Sequence, residues 1–189
     1  KEIDTMARSC VDFAKFTLQL FEDVVLKNPA YMKLILNPKL GHAVYNMGMV
    51  DERNRVSFYD GPVRVTDQQG REFVRGDGSD YLTHIAEHVR DWSYVKATYL
   101  KAVGYKGLVD GPDSGLYRVG PLARLNVAEG MATPKADAAY HKLFDTFGAK
   151  PVNSTLAYHW ARLVELLYAA ERALELSIDP GITGTDIRN

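Results

Sequence analysis

The amino-acid sequence predicts an α+β protein that is mainly helical, with long bundle helices and one small antiparallel three-stranded meander. Apolar residues recur every three or four positions near both ends of the chain, which is typical of amphipathic helices. Between these regions, short runs of alternating apolar and polar residues are separated by glycine-containing turns, which is typical of hairpins. With 189 residues, 46% of them hydrophobic, the chain is long enough to bury a core.

The region 1–36 is predicted to be helical. Its long helix carries an apolar stripe at spacings of three and four, formed by Ile3, Met6, Cys10, Phe13, Thr17, Leu20 and Val24 and widened by Ala7, Ala14, Phe21 and Val25. Cys10 lies on this stripe, so we expect it to be a small buried hydrophobic residue. A short helix over 30–36 ends before Asn37-Pro38, because a residue that precedes proline is biased away from the α conformation. The stretch 41–49 has no clear period and is predicted to be irregular.

The region 55–75 is predicted to form the β-meander. Alternating runs at 55–59, 63–66 and 72–74 are separated by Asp60-Gly61-Pro62 and by Gln68-Gln69-Gly70. The region 80–99 is then predicted to be a helix, with Asp80 as its N-cap. The apolar stripe of this helix would consist of Tyr81, Ile85, Val89, Trp92, Val95 and Tyr99.

The region 104–132 is predicted to be a loop that contains a structured corner at Gly120-Pro121. Proline fixes its own φ and pushes the preceding residue out of the α region. Arg118 and Arg124 flank the corner, and paired arginines could bind an anion or a carboxylate bidentately. A loop arginine between hydrophobic residues more often bonds a neighbouring helix end or a buried aspartate, and this is the favoured interpretation. The glycines of this region do not have the spacing of a phosphate-binding loop.

Two further helices are predicted over 133–148 and 154–178. Thr133-Pro134 is a strong helix start and Gly148 a strong helix end. The helix over 154–178 is apolar around most of its girth, which is typical of a central bundle member. Glu165 lies on its narrow polar stripe, and we expect an ion pair with Arg162.

The run His84-Ile85-Ala86-Glu87-His88 matches the H-x-x-E-H zinc motif of a class of peptidases. On a helix, His84 and His88 would lie one turn apart, and Glu165 could supply a third ligand from further along the chain. A pattern with three fixed positions arises often by chance, so a solvated polar helix face is the favoured interpretation.

Composition excludes several classes of function. The formal charge of −1 gives no basic surface for nucleic acid and no polybasic signal for a membrane. No apolar run approaches the roughly 20 residues of a membrane-spanning helix. The single cysteine, Cys10, rules out an intrachain disulfide and fits a cytoplasmic location. Because the chain begins with Lys1 and not with methionine, we expect it to be an internal segment, 1–189, of something longer.

Several motifs together resemble a known family. They are Phe13-Ala14-Lys15-Phe16-Thr17, Glu22-Asp23-Val24-Val25-Leu26, Phe58-Tyr59-Asp60-Gly61, His84-Ile85-Ala86-Glu87-His88-Val89, Trp92-Ser93-Tyr94, Gly120-Pro121-Leu122-Ala123-Arg124-Leu125-Asn126-Val127, and Trp160-Ala161-Arg162 to Ala169-Ala170-Glu171-Arg172. This set resembles the large (alpha) subunit of cytoplasmic NiFe hydrogenases, in particular the viologen-reducing and NAD-reducing types.

The resemblance implies reversible oxidation of dihydrogen at a nickel–iron centre, which the family holds with cysteines in two Cys-x-x-Cys motifs. This chain has Cys10 alone, so no catalytic, cofactor-binding or metal-binding residue is predicted in it. The resemblance therefore implies a scaffold segment without cofactor, inactive on its own. Its implied partners are the iron–sulfur small subunit, together with the missing parts of the same large subunit. We also expect the isolated chain to self-associate through apolar helix faces.

Two alternatives stay open at this point. The chain could be a stand-alone, metal-free hydrogenase-like protein that acts in assembly or interaction, or, more remotely, a zinc metallopeptidase of the H-x-x-E-H type.

Overall fold

The computed structural model describes residues 2–185 and confirms the α+β class. Residue 1 and residues 186–189, which the predicted segment 1–189 includes, lie outside the described part. The helices are α1 (Glu2–Phe21), α2 (Pro29–Ile35), α3 (Tyr81–His84), α4 (Pro121–Val127), α5 (Pro134–Phe147) and α6 (Ala157–Ser177). The strands are β1 (Tyr45–Met49), β2 (Val63–Thr66), β3 (Glu72–Gly76), β4 (Ile85–Arg90), β5 (Ser93–Leu100) and β6 (Tyr117–Arg118).

The core of the protein lies between α1, α4, α5 and α6. Helix α6 occupies the centre, since it packs against the other three helices. Trp160 of α6 is fully buried, and Phe21 and Phe147 approach its ring from α1 and α5. The expectation that the last helix is a central bundle member is therefore confirmed.

Helix α1 packs against α6 through one edge of the predicted stripe, where Ala7 and Ala14 lie, and not through the centre of that stripe. Its buried residues are Ala7, Val11, Ala14 and Leu18. The two alanines allow the backbones of α1 and α6 to approach closely, which the larger residues of the predicted stripe would prevent. Most of that stripe is exposed, and Cys10 is exposed as well, so the prediction of a buried Cys10 is wrong. The helix continues through a π-helical turn over Glu22–Leu26.

A four-stranded sheet packs against α4, with the strand order β3-β2-β1-β6. Strand β1 pairs antiparallel with β2 and parallel with β6. The predicted meander is correct for β2 and β3 but wrong for its first strand. No strand forms over 55–59, and β1 comes instead from the stretch predicted to be irregular. A Cβ on Gly48 of β1 would lie only 2.9 Å from Val127 of α4, so the packing of β1 on α4 requires glycine at this position. This glycine interrupts the alternation of apolar and polar residues by which a strand is predicted.

The predicted helix over 80–99 is wrong. Only the four residues of α3 are helical, and the rest forms the antiparallel hairpin β4–β5, which turns at Asp91-Trp92. Val89, Trp92 and Val95, which were expected to form the buried stripe, are exposed. Their spacing of three suits a helix by coincidence, whereas β-branched and aromatic residues favour an extended chain. Asp80 makes no capping hydrogen bond through its side chain.

The region 104–132, predicted to be a loop, contains β6 and α4. Gly120 has φ 85°, and Pro121 is the first residue of α4, so the corner is present but opens directly into a helix. The last two helices are observed close to their predicted bounds, and Gly148 ends α5 with φ 62°. In the described part of the chain, no helix is long and apolar enough to cross a membrane.

Candidate functional site at the Gly120-Pro121 corner

The corner at Gly120-Pro121 joins the sheet to the helical core. The short strand β6 places Arg118 beside Asn46 of β1. Gly120 then adopts φ 85° and ψ −167°, a region that is essentially open to glycine alone. Proline at the first helical position has no N–H that needs a partner, so α4 begins at once. This turn directs Arg118 and Arg124 to different parts of the core.

Arg118 is buried and bonds to backbone carbonyls. Its Nη2 donates to the carbonyl oxygen of His42 at 2.6 Å and to that of Asn153 at 3.2 Å, while Nη1 lies 3.4 Å from the carbonyl oxygen of Val152. The guanidinium also lies over the ring of Tyr158. Burial lowers the pKa of Arg118. The expectation of a helix end or a buried aspartate is wrong here, because the acceptors lie in extended segments that the arginine ties together.

Asn126 of α4 extends the same polar network. Its Nδ2 donates to Asn46 Oδ1 and to the carbonyl oxygen of Val152, each at 2.9 Å. Its Oδ1 accepts from the amide of Val152, also at 2.9 Å. Both asparagines are almost completely buried, so nearly every polar atom of Asn126 is used to link α4, β1 and the segment before α6.

Arg124 forms a bidentate ion pair with Glu165 of α6. Arg124 Nε lies 2.7 Å from Oε1 of Glu165 and Nη2 lies 2.8 Å from Oε2. The glutamate side chain is 8% exposed, and the guanidinium stacks over the ring of Phe58. The predicted pair between Glu165 and Arg162 is therefore wrong. The partner comes from the Gly-Pro corner, which sequence spacing could not indicate.

A second buried glutamate on α6 caps another helix. Glu171 accepts hydrogen bonds from Thr133 Oγ1 at 2.7 Å and from the amide of Ala136 at 2.9 Å, and Lys135 lies 3.2 Å away. Burial alone would raise the pKa of Glu171, but these hydrogen bonds outweigh it and hold the pKa below its usual value. Thr133 begins the region of α5 as predicted, but the side chain that caps the helix belongs to Glu171.

Among the basic side chains of residues 2–185, the side chain of Lys150 lies in an environment that favours loss of its proton. The residue is exposed, but its ammonium group packs over the rings of Tyr140 and Phe144. It donates to the carbonyl oxygen of Ala128 and, at 2.6 Å, to the hydroxyl of Tyr140. Burial of the ammonium lowers the pKa of Lys150 to about 8.

The H-x-x-E-H residues do not form a metal site. His84 ends α3, while Glu87 and His88 lie in β4, so the two histidines do not share a helix face. Glu87 pairs with Lys96 at 2.6 Å, and His88 stacks on Tyr105. The proposed third ligand, Glu165, is engaged by Arg124. The structure does not bring these residues together, and the peptidase alternative is wrong.

Within residues 2–185, no group of three or more histidine, cysteine, aspartate or glutamate side chains is placed to hold a metal ion. The polar groups at the corner are used to connect segments of the fold, so their arrangement suits rigidity and not bond-making chemistry. Sequence reasoning missed Asn46, Asn126 and Glu171. The available signal was a polar residue inside an apolar run, as in Leu125-Asn126-Val127, which indicates a buried and hydrogen-bonded side chain.

Comparison with known proteins identifies relatives along the whole chain, although no family model matches. The iron-sulfur subunit of an F420-non-reducing hydrogenase from Archaeoglobus profundus is 49% identical over 188 residues, which are 100% of this chain and 38% of that protein. The vhu subunit of the corresponding Methanocaldococcus jannaschii hydrogenase is 38% identical over 189 residues, 100% of this chain and 41% of its own length. The HoxS subunit beta of the Cupriavidus necator NAD-reducing hydrogenase is 35% identical, over 91% of this chain and 33% of its own.

A solved structure has the same fold. The crystal structure of an NAD+-reducing [NiFe]-hydrogenase in its H2-reduced state matches with a TM-score of 0.84 and 32% identity. The match covers 98% of this chain and 39% of that one. This chain thus spans about two fifths of the length of the first relatives and of the solved structure.

These comparisons correct the cofactor and the type of subunit that the motifs implied. The relative with 49% identity is named an iron-sulfur subunit, which overturns the assignment to a scaffold of the large subunit. The implied cofactor changes with it, from a nickel–iron centre to iron–sulfur. The alternative of a stand-alone assembly protein is not supported either, because the matches are to subunits of hydrogenases.

The residues of this chain do not fit an iron–sulfur cluster. Such clusters are held mainly by cysteine thiolates, four in the common types. The chain has one cysteine, Cys10, on an exposed side of α1. The cofactor suggested by the relative's name therefore has no ligand set here, while sequence identity and fold agree along the whole chain: it is related to subunits of hydrogenases.

Proposed function

We propose that this chain forms part of the iron–sulfur subunit of a hydrogenase, an enzyme that converts dihydrogen to protons and electrons. The observation that carries the proposal is the 49% identity with the Archaeoglobus profundus protein, which extends over 100% of this chain. The TM-score of 0.84 to a hydrogenase structure supports it. The proposed partners are the other subunits of the hydrogenase complex and the parts of the same subunit outside this chain, and the proposed location is the cytoplasm.

Within such a subunit, the chain would supply a rigid body and no reacting group. The bidentate pair between Arg124 and Glu165 and the network around Asn126 fix α4 against β1 and α6. Metal ligands would come from outside the chain, because Cys10 is its only cysteine. We therefore expect no hydrogenase activity from the 189 residues alone.

A chimaeric subunit tests this proposal. This chain replaces the matched 188 residues of the Archaeoglobus profundus protein, and the chimaera is produced together with the partner subunits of that hydrogenase. The purified complex is assayed for dihydrogen-dependent reduction of an artificial dye, with its iron content measured in parallel. We expect a complex that assembles, holds iron and reduces the dye.

A matched pair of variants controls for correct folding of the replaced part. Glu165→Gln removes the charge from the buried pair, whereas Arg162→Ala changes an exposed neighbour on the same helix. We expect the first variant to impair assembly and the second to behave like the parent chimaera. A chimaera that assembles with normal iron content but reduces no dye would overturn the proposal.

A further inference from the structure

Helix α1 carries a second apolar face that nothing in the described part of the chain covers. We use the name outer seam for a set of residues that continues from α1 into the π-helical turn after it: Ile3, Met6, Cys10, Phe13, Thr17 and Leu20 of α1, and Val24 of the turn. All of them except the half-buried Thr17 are exposed, Ile3 by 67% and Phe13 by 61%. A soluble surface helix normally shows polar residues opposite its buried face, so this face needs a partner.

The charged residues of α1 that follow Met6 lie on a separate side of the helix, as does Asp4, whereas Glu2 lies one turn before Met6 at the start of the seam. Asp4 pairs with Arg8 at 3.1 Å, and Asp12 pairs with Lys15 at 3.3 Å. These residues therefore satisfy one another, and none of the seven seam residues is charged. Helix α1 has three sectors: a buried face of small residues against α6, a charged flank, and an exposed apolar flank.

The spacing of the outer seam indicates what kind of element fits it. Its residues follow one another at intervals of three and four in strict alternation from Ile3 to Val24. An average repeat of about 3.5 residues is the pattern by which one helix packs along another, with each apolar side chain inserted between residues of the partner. A flat sheet or an irregular loop would not match this repeat over the whole helix. The seam therefore fits a second amphipathic helix.

An apolar groove continues the seam at the C-terminal end of α1. It is lined by Phe21 and Val25, by Tyr31 and Leu34 of α2, and by Leu156, which precedes α6. The groove has a volume of about 480 Å³, and its lining is almost wholly apolar although it includes His159. A helix that follows the seam would enter this groove with its last turn.

We propose that the occupant of the outer seam and the groove is an amphipathic helix from the part of the same subunit that lies outside this chain. This inference rests on the proposed function, which places the chain in a longer subunit. The relatives are long enough to supply the helix, since the matched residues are 38% of one and 41% of another. The absence of charge along the seam requires an occupant whose facing residues are also apolar.

Cys10 offers a direct test because it lies in the middle of the seam and is the only cysteine of the chain. The rate of its alkylation by N-ethylmaleimide is measured by mass spectrometry of the peptide that contains it. Three samples are compared: the isolated chain, the isolated chimaeric subunit, and the chimaeric subunit with its partner subunits. We expect alkylation to be at least about tenfold slower in both chimaeric samples than in the isolated chain, because a covered thiol reacts only when the contact opens.

The matched control moves the thiol to the charged flank. In the double variant Cys10→Ser, Asp12→Cys, the only thiol lies two positions further along α1, at an exposed position outside the seam. We expect its alkylation rate to be similar in all three samples. Slow alkylation of this control as well would mean that the whole helix is covered, which would overturn the assignment of the seam as the specific contact.

Each remaining outcome decides between occupants. Protection of Cys10 from alkylation only in the presence of the partner subunits would assign the seam to a different subunit. That result would overturn the proposal. Protection of Cys10 in the isolated chimaeric subunit that is lost on dilution would assign the seam to a second copy and would also overturn the proposal. A chimaera that reduces the dye while Cys10 reacts as fast as in the isolated chain would refute this inference alone and leave the proposed function intact.

A pair of charge substitutions gives an independent check. Phe13→Glu places a charge in the seam, and Lys15→Glu places the same residue on the charged flank. We expect both variants of the isolated chain to keep their helical circular dichroism, because both positions are exposed. In the chimaera, only Phe13→Glu should reduce the yield of folded protein, and an equal effect of the two substitutions would contradict the proposal.

Discussion

The two long helices of the bundle, α1 and α6, depart from the usual distribution of residues in opposite ways. Helix α6 buries the charged residues Glu165 and Glu171. Helix α1 buries only Ala7, Val11, Ala14 and Leu18, and exposes larger apolar side chains. The two buried carboxylates of α6 find their partners within this chain. The apolar residues of α1 have none on their exposed side within the described residues.

This contrast separates what stabilises the chain alone from what remains for a partner. A buried carboxylate is tolerated only when it is paired and hydrogen-bonded, so α6 must already be in its final environment. An exposed apolar face has no such requirement. It lowers the free energy only when another surface covers it and removes it from water. Substitutions on the two helices should therefore have very different effects in the isolated chain.

The largest effect is expected for Glu165→Ala. This change leaves the largely buried guanidinium of Arg124 without its carboxylate, and we expect the free energy of unfolding to fall by about 3–5 kcal/mol. Urea unfolding followed by circular dichroism measures it. The control is Arg162→Ala on the exposed side of α6, for which we expect a change within about 0.5 kcal/mol. Equal effects of the two substitutions would show that the bidentate pair is not an important contact.

A pair of leucines on α1 gives the next largest difference. Leu18 is buried against α6, and Leu18→Ala should lower the free energy of unfolding of the isolated chain by about 2–5 kcal/mol. Leu20 is 48% exposed, and Leu20→Ala should change it by no more than about 0.5 kcal/mol. The same urea titrations measure both. A large effect at Leu20 would mean that the exposed side is already covered in the isolated chain, for example by self-association.

The smallest expected effect concerns pH. Because the folded state holds the pKa of Glu171 below its ordinary value of 4.5, its carboxylate stabilises the fold above that pH. This stabilisation is lost as the pH falls through the lowered pKa. Glu171→Gln should therefore flatten the decline of the unfolding free energy as the pH falls below about 5.

Urea titrations at several pH values measure this slope. The exposed Glu175, which pairs with Arg172 on the outside of the same helix, gives the matched control Glu175→Gln. We expect its slope to equal that of the unmodified chain. Identical slopes for all three proteins would contradict the capping role of Glu171.

Local signals in the sequence were sufficient where they act through the backbone alone. Thr133-Pro134 and Gly148 delimit α5 in the sequence and in the structure, because proline and glycine restrict or permit particular φ values whatever their surroundings. The turn Gln68-Gln69-Gly70 between β2 and β3 is predicted correctly for the same reason. The strand β1 was missed, because Gly48 is required by contact with α4 and removes the alternation of the strand.

Properties that depend on tertiary partners could not be found in this way. The choice between the two apolar sides of α1 depends on the shape of α6, and the partner of Glu165 comes from a corner 41 residues earlier in the chain. The sequence of the hairpin β4–β5 predicts a helix because Val89, Trp92 and Val95 have helical spacing. Their exposure shows that the spacing was not the result of burial.

The position of Asn46 has a consequence for how the chain folds. On one side its strand pairs with β2, which follows closely in sequence, and on the other it meets Arg118 and Asn126, 72 and 80 residues away. Contacts between such distant residues form only after a long loop has closed, and loop closure slows folding. The β1–β2 hairpin can therefore form early, whereas the polar network around Asn46 is expected to be among the last contacts to form. Substitutions that weaken this network should then raise the rate of unfolding more than they lower the rate of folding.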